Sequence, residues 1–159
     1  ILPTFKHFPG HGDTAEDSHT GLAYSCRTVD ELAACELLPF EAAAEAGPHA
    51  VMVGHIVVPE LTGDTPATLS AAAVALVPDA ENTLIITDSL AMGAITDSYI
   101  PGEAAVLALQ AGCDVLLMPN GLADAYDAVL AAVQDGTISE QRLDESVAKI
   151  LRMKAQFCA

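Results

Sequence analysis

The stretch KHFPGHGDTAEDSH, from Lys6 to His19, concentrates side chains that can bind or move protons. It holds three of the five histidines of the chain, one of its six cationic residues and three acidic residues. Pro9 and Gly10 favour a loop over a helix, so these histidines do not share one regular face. A mixture of imidazole and carboxylate groups suits either proton transfer or metal binding.

Asp17 and His19 are separated by one residue, and in an extended segment this spacing points both side chains to the same side. A carboxylate that accepts the imidazole N–H fixes the tautomer of the ring and raises its basicity. His19 is therefore a candidate general acid and base near neutral pH. Two alternatives stay open on spacing alone. One is a loop histidine held by a local aspartate, and the other is a metal site built from His7, His11, Asp13, Asp17 and His19.

Asp88, in the stretch IITDSLAM, is a second candidate for chemistry. It comes directly after an apolar run, and no cation lies near it in the sequence. A carboxylate in this place can be a nucleophile, a metal ligand or the N-cap of a helix that begins near Ser89. The spacing alone leaves all three open.

Apolar runs alternate with helical patterns, and this alternation predicts the elements that must position these side chains. Strands are predicted over residues 2–8, 50–58, 83–88 and 114–119. Thr28 with Glu31 predicts a capping box at the start of a helix. Helices are predicted over residues 29–47, after Ser70, and over 102–112, 123–136 and 139–157.

Short, continuously apolar strands between helices are typical of parallel strands that are buried on both faces. The absence of GxGxxG after the first strand speaks against a dinucleotide-binding doubly wound sheet. A polar group lies at or just after the end of each predicted strand, and in a (β/α)₈ barrel that edge carries the active site. These groups are Lys6 with His7, His55, Asp88 and Asn120. A whole barrel takes eight βα units and about 250 residues, so we predict an α/β fold of four units, about the C-terminal half of a TIM barrel.

The composition limits the partners and the compartment. A net charge of −16 disfavours nucleic-acid backbones and anionic membranes as partners. No apolar run approaches the ~20 residues that span a bilayer, so we expect no membrane insertion. The chain begins at Ile1 with an apolar stretch and without a methionine or a signal peptide, so we expect a processed or excised piece of a longer protein.

For the other histidines and the cysteines, the sequence predicts positions rather than chemical roles. His55 either lines the pocket at the strand ends or is a buried histidine with its polar atoms satisfied. His49, which follows Pro48, is expected at the surface. Cys113 lies inside an apolar run and is expected in the core, and the four cysteines lack metal-binding or disulfide spacing.

The motifs together resemble one enzyme family. KHFPGHG, followed after four residues by DSH, resembles the signature of the family 3 glycoside hydrolases on their β-N-acetylhexosaminidase branch. PATLS, IITDSLAM, AGCDVLLMP and RLDESVAKIL then follow in the order that the family uses. The resemblance covers nearly the whole chain.

The resemblance implies a role for five residues. Asp88 matches the catalytic nucleophile, which forms a covalent glycosyl-enzyme intermediate in a retaining mechanism. His19, backed by Asp17, matches the acid/base, and Lys6 and His7 match residues that hydrogen-bond sugar hydroxyls. The resemblance implies no cofactor and no metal, and it implies an amino-sugar oligosaccharide from peptidoglycan or chitin as the substrate.

The sequence also departs from the family. The barrel of the family begins well before the KHFPGHG strand, and its earlier half supplies an aspartate and an arginine that hold the sugar. Neither residue type precedes Lys6 here. We therefore expect residues 1–159 to form the C-terminal half of this barrel domain, whose exposed sheet edges favour self-association or pairing with the missing half.

Three alternatives to hydrolysis through a glycosyl-aspartate remain. They are phosphorolysis on the same site, a metal-dependent hydrolase that uses the His/Asp cluster, and a folded but inert fragment that lacks half of the pocket. The compartment, cytoplasmic or associated with the cell wall, stays undecided.

Overall fold

The central sheet consists of three parallel strands. The structure is a computed structural model that describes residues 1–12, 14 and 21–158. Strands β1 (Thr4–Phe8), β3 (Ala50–Val53) and β5 (Leu84–Thr87) lie in the order β1-β3-β5. A second sheet pairs two short strands in parallel, β2 (Ala23–Tyr24) and β4 (Ile56–Val57).

Helices connect and follow the strands, as expected for parallel β–α units. Within the described residues they are α1 (Val29–Ala34), α2 (Leu38–Ala46), α3 (Pro59–Thr62), α4 (Ala71–Val74), α5 (Gly93–Thr96), α6 (Pro101–Ala111), α7 (Leu122–Gln134) and α8 (Glu140–Phe157). A 3₁₀ turn (Ala67–Leu69) precedes α4. None of these helices is both long enough and apolar enough to cross a membrane.

Alternate residues of the strands serve two apolar clusters, because side chains in a strand point to opposite faces. Val51 and Ile85 belong to the main core, which they share with Phe8 and residues of the helices. Phe8 packs edge to face on Phe40 of α2, with ring centroids 5.0 Å apart. The opposite face of the sheet carries a smaller cluster of Ala50, Leu84 and Met153 of α8.

The prediction of a single helix over residues 29–47 is wrong, because the chain forms α1 and α2 with a break between them. Pro39 lies in the first turn of α2, where its missing N–H costs nothing, but it could not continue a helix from α1. The predicted capping box is confirmed. The Glu31 N–H donates to Thr28 Oγ1 at 3.2 Å, and the Thr28 N–H donates to Glu31 Oε2 at 2.9 Å.

The predicted strand over residues 50–58 also divides. It leaves the central sheet after Val53, turns at Gly54 and His55, and continues as β4 in the second sheet. This turn brings His55 under the end of the central sheet.

The predicted strand over residues 114–119 is reduced to one parallel bridge between Ile86 and Val115. Side chains replace the backbone partners of a regular ladder on both sides of that bridge. The Ile85 N–H donates to Asp114 Oδ2 at 3.0 Å, and the Leu117 N–H donates to Thr87 Oγ1 at 2.8 Å. The segment is therefore fixed to β5 without the regular hydrogen bonding of a strand.

Asp114 also fastens α8 to the sheet. Its carboxylate is fully buried, accepts a hydrogen bond from the Ser146 hydroxyl at 2.7 Å, and lies 3.0 Å from Lys149 Nζ and 3.5 Å from Arg142 Nη1. A buried charge is tolerated when it is paired and hydrogen-bonded. This cluster joins the stretch around Cys113 to α8.

Candidate active site

Asp88 is the first residue after β5, at the carboxyl end of the sheet. Its own N–H donates to the Val53 carbonyl oxygen at 2.8 Å, which ties it to β3. Its Oδ1 accepts the Ser89 N–H at 2.7 Å. The Asp88 side chain remains 15% exposed, so the carboxylate is oriented by the backbone and still accessible to a small molecule.

The alternative role of Asp88 as a helix N-cap is wrong. The next helix, α5, begins at Gly93, and its N-cap is Met92. The hydrogen bond from Ser89 to Asp88 therefore orients a carboxylate at a strand end rather than starting a helix.

His7 is brought to Asp88 by an irregularity of β1. In the pairing with β3, Lys6 lies opposite Met52 and Phe8 lies opposite Val53, so His7 is an extra residue in a β-bulge. His7 Nε2 lies 3.5 Å from Asp88 Oδ2, and the His7 side chain is 27% exposed. The structure thus places these two predicted site residues together.

Gly54 makes room for His7. A Cβ on Gly54 would lie 3.1 Å from His7 Cβ and 3.3 Å from Ile56 Cδ1, which is tighter than most packing contacts. The absence of a side chain at position 54 therefore lets the bulge of β1 approach the end of β3.

Lys6 is exposed and lies beside His7 on a cavity of about 460 Å³. The loop after β1 and the start of α2 form the rest of its wall. The lining residues are Lys6, His7, Gly10, His11, Gly12, Glu36, Pro39 and Phe40. His11 is part of this wall, where its ring lies edge to face against that of His7 with centroids 5.8 Å apart.

Glu36 is a residue of this wall that the sequence analysis missed. A Cβ on Gly10 would lie 2.6 Å from Glu36 Cβ, and the φ of +146° at Gly10 also favours glycine. The Glu36 side chain is 11% exposed, and its Oε1 lies 3.5 Å from Arg27 Nε. Glu36 thus packs the loop after β1 against the segment before α2. No sequence signal marked it, since it resembles any acid in a helical stretch.

The predicted acid/base pair, Asp17 and His19, lies outside the described residues. Asp13 also lies outside the described residues, so three of the five residues in the metal-site hypothesis do. Both interpretations of the loop therefore stay predictions. Among the described residues, no group of three or more His, Cys, Asp or Glu side chains is arranged to hold a metal ion.

The two remaining histidines are both buried. His55 is fully buried, and both of its ring nitrogens have partners, so the second of its two predicted roles is confirmed. The prediction of a surface position for His49 is wrong, because its exposed fraction is 3%. Its Nδ1 lies 2.8 Å from the Gly47 carbonyl oxygen, and its ring packs edge to face on Phe5.

A larger cavity of about 590 Å³ lies beside α4, α6 and α8, away from Asp88. Three cations line it, but each has an intramolecular partner. Arg142 and Lys149 contact Asp114, and Arg152 donates to the Glu81 carbonyl oxygen at 3.0 Å. None of the predicted site residues lines this cavity, so we place the candidate active site at the carboxyl ends of β1 and β5.

Comparison with known proteins agrees with the motifs. The profile described as "Glycosyl hydrolase family 3 N terminal domain" matches residues 1–153. The chain belongs to glycosyl hydrolase family 3. In solved relatives this domain has a TIM-barrel-type fold, and the described part of the present chain shows an α/β arrangement of parallel strands.

Three relatives illustrate the similarity. "Beta-hexosaminidase LpqI" of Mycobacterium tuberculosis is 35% identical over 97% of this chain and 42% of its own length. A family 3 β-N-acetylglucosaminidase from Paenibacillus sp. str. FPU-7 superimposes with a TM-score of 0.90 at 41% identity, over 98% of this chain and 31% of its own. "Beta-glucoside phosphorylase BglX" superimposes with a TM-score of 0.88 at 30% identity, over 98% of this chain and 30% of its own. The chain thus spans less than half the length of each.

Proposed function

We propose that this chain carries the catalytic nucleophile of a retaining exo-β-N-acetylglucosaminidase. Its substrate would be a terminal N-acetylhexosamine on a sugar derived from peptidoglycan or chitin. The observation that supports this most directly is the Asp88 carboxylate, with Oδ1 held by the Ser89 N–H at 2.7 Å and Oδ2 facing His7 Nε2 at 3.5 Å. The relatives described as β-hexosaminidase and β-N-acetylglucosaminidase support the substrate class.

Asp88 Oδ2 attacks the anomeric carbon in the proposed mechanism. The bond from that carbon to the leaving oxygen breaks, and a glycosyl ester on Asp88 forms. His19, oriented by Asp17, gives its proton to the leaving oxygen. The neutral imidazole then takes a proton from water, which attacks the anomeric carbon and releases Asp88.

Lys6 and His7 bind the sugar hydroxyls in this proposal. Both are polar side chains at the end of β1, and both line the cavity of about 460 Å³ next to the nucleophile. Groups that hold the sugar fix the distance between its anomeric carbon and Asp88, which is a large part of the rate enhancement in such sites.

We further propose that residues 1–159 are the C-terminal half of a barrel domain. In this view, the site is completed either by the missing half or by a second copy of the chain. Among the described residues, the order β1-β3-β5 leaves β1 at an edge of the sheet, next to the site. An unpaired edge strand is a template for another strand.

The test is turnover of 4-nitrophenyl β-N-acetylglucosaminide by the chain alone and by the chain mixed with the preceding half of the barrel. We expect Asp88→Asn to lower kcat at least about a thousandfold in whichever form is active, because no nucleophile remains. Asp97→Asn is the matched control, since Asp97 is an exposed acid nine residues further along the same connection. Unchanged turnover by Asp88→Asn would contradict the proposed nucleophile.

Two outcomes of the same assay address the alternatives. Loss of turnover with a chelator would support the metal-dependent hydrolase, whereas the proposed glycosidase is indifferent to it. Absence of turnover in the chain alone, with turnover in the mixture, would show that the chain is an incomplete part of the site. Absence of turnover in both forms would overturn the glycosidase proposal.

Phosphorolysis is the second candidate function. The similarity to a protein described as a β-glucoside phosphorylase favours it, and an imidazole base repels an incoming anion less than a carboxylate would. Supplying inorganic phosphate would then yield a sugar 1-phosphate, which phosphorus NMR distinguishes from the free sugar. Free sugar as the sole product would exclude this candidate.

A further inference from the structure

His55 has a place in the site that the proposed mechanism does not use. Its side chain is fully buried beneath the strand ends. Its Nε2 lies 2.9 Å from the Ser89 carbonyl oxygen, and its Nδ1 lies 2.9 Å from Thr68 Oγ1. One ring therefore connects the turn after β3, the 3₁₀ turn before α4 and the residue that follows the nucleophile.

The partners of His55 fix its protonation. A carbonyl oxygen can only accept a hydrogen bond, so Nε2 carries a hydrogen and donates it to Ser89. Burial lowers the pKa of His55 against smaller opposing effects of the Ser89 hydrogen bond and the Asp88 charge, so the ring is neutral at neutral pH. Its Nδ1 is then an acceptor, so the single hydroxyl hydrogen of Thr68 goes either to Nδ1 or to a backbone carbonyl oxygen, not to both.

Thr68 lies between the ring and the end of β3. Its Oγ1 lies 2.7 Å from the Gly54 carbonyl oxygen and 3.2 Å from that of Val53. The Val53 carbonyl oxygen also accepts the N–H of Asp88. Asp88 is thus linked to the end of β3 twice, directly through its own backbone and indirectly through Ser89 and His55, which follows β3 by two residues.

Ser89 transmits this link to the carboxylate. Its N–H donates to Asp88 Oδ1, and its carbonyl oxygen accepts from His55. The same carbonyl oxygen also accepts the Met92 N–H at 3.1 Å. That second bond closes the local turn, but it does not tie the turn to β3.

We propose that His55 is a positioning residue, which orients the Asp88 carboxylate by holding the Ser89 backbone through its Nε2–H. This inference rests on the proposed function of Asp88. Loss of the Nε2–H bond leaves the local turn and the bond from Asp88 to Val53 intact, but it removes the second tie of the turn to β3 and lets Ser89 shift. A nucleophile displaced by even about 1 Å reacts up to about a hundredfold more slowly, while sugar binding through Lys6 and His7 is retained.

Two isosteric variants separate positioning from mere packing. The amide nitrogen of His55→Gln lies near the position of Nε2 and can still donate to Ser89. The amide of His55→Asn lies near the position of Nδ1, so it reaches Thr68 but not Ser89. We expect His55→Asn to lower kcat about tenfold to a hundredfold with KM changed less than about threefold, and His55→Gln to recover most of kcat.

His49 provides the matched control. It is also a buried histidine with both ring nitrogens near polar atoms, but it lies just before β3, at the opposite end of that strand from Asp88. His49→Asn is expected to lower the midpoint of thermal unfolding without changing kcat. Thr68→Val, a near-isosteric loss of the hydroxyl, is a second variant in case His55→Asn fails to fold, and its expected loss of kcat is smaller than that of His55→Asn.

The measurement is kcat, KM and thermal midpoint for each variant, beside Asp88→Asn, in the form of the protein that shows turnover. A kcat for His55→Asn equal to that of the parent would overturn the positioning role, as would equal losses in His55→Asn and His55→Gln at equal thermal midpoints. If Thr68→Val stands in for His55→Asn, unchanged kcat overturns the role in the same way. Full activity in Asp88→Asn would instead overturn the proposed function itself, and the role of His55 with it.

Discussion

The burial of His55 links its protonation to folding. Its pKa is lowered from 6.5 in the folded chain, chiefly by burial, with the charge of His7 in the same direction and that of Asp88 opposed. As the pH falls below 6.5, His55 therefore takes up a proton in the unfolded chain before it does so in the folded chain. The free energy of unfolding should then decrease with falling pH between 6.5 and the lowered pKa of the folded state.

Urea unfolding at a series of pH values from 8 to 5 measures this effect. The comparison of the parent with His55→Gln isolates the contribution of one ring from that of the carboxylates. We expect the parent to lose more stability than the variant below pH 6.5 and the two slopes to agree above it. Parallel curves over the whole range would contradict a lowered pKa.

Cys113 should be chemically silent in the folded chain. Its thiol is fully buried, and burial raises its pKa to about 12, so almost no thiolate is present at pH 8. Cys26, Cys35 and Cys158 are free and exposed. We expect iodoacetamide to label these three under native conditions and Cys113 only after unfolding, as read by peptide mass spectrometry. Native labelling of Cys113 at the rate of the others would contradict the buried position.

At the scale of elements, Asp114 is a polar attachment of α8 to the sheet. Its carboxylate pairs with Lys149 and Arg142 and accepts from Ser146. We expect Asp114→Asn to lower the free energy of unfolding by about 1–3 kcal/mol, because it leaves two partly buried cations without their charged partner. Asp144→Asn is the control, since Asp144 is an exposed acid on the same helix. Chemical denaturation of both variants gives the difference, and equal small losses would argue against this attachment.

The contact between α6 and α7 depends on a glycine. A Cβ on Gly102 would lie 2.7 Å from Ala128 Cβ, so the two helices approach more closely than alanine at position 102 permits. We expect Gly102→Ala to cost about 1–3 kcal/mol of stability through overpacking, despite the better helix propensity of alanine. Restoring the space with Gly102→Ala combined with Ala128→Gly should recover part of the loss. A stabilised Gly102→Ala variant would contradict the close approach.

The elements that the sequence predicted well are those with a complete local signal. The capping box at Thr28 and the N-cap at Ser70 follow from side chains that bond their own backbone, and both occur in the structure. The long closing helix begins after Ser139, as its pattern indicates. In these places a few neighbouring residues decide the structure by themselves.

Predictions failed where partners distant in sequence decide the structure. The segment at Val115 looks like a strand, but on both sides of its single bridge to β5 the N–H groups of Ile85 and Leu117 bond to the side chains of Asp114 and Thr87. His49 is a polar residue next to a proline, which suggested a surface position. In the structure it is buried against Thr83 and Phe5, which belong to two other segments. The candidate site shows the same limit, because the motifs predicted His7 and Asp88 as site residues, whereas the sequence left two roles open for His55 and did not single out Glu36.

At the scale of the whole molecule, the open edge of the sheet bears on the state of association. The edge strand β1 carries Lys6 and His7, and α7 presents Leu122 and Tyr126 to solvent, exposed by 72% and 65%. Apolar and unpaired surface of this kind favours association. We expect sedimentation velocity to show self-association of the chain alone and a defined complex when the preceding half of the barrel is added. A monodisperse monomer of native-like stability would contradict this.

The bulge at His7 has a consequence for the design of binding sites. A regular strand presents one side chain to a given side every two residues, about 6.6 Å apart. In β1, adjacent residues Lys6 and His7 both reach one cavity, because the bulge breaks the alternation between them. One strand thereby supplies a pair of polar groups at half the usual spacing. A designer who needs two such groups close together could therefore take both from one strand and leave the neighbouring strand free for the reactive group.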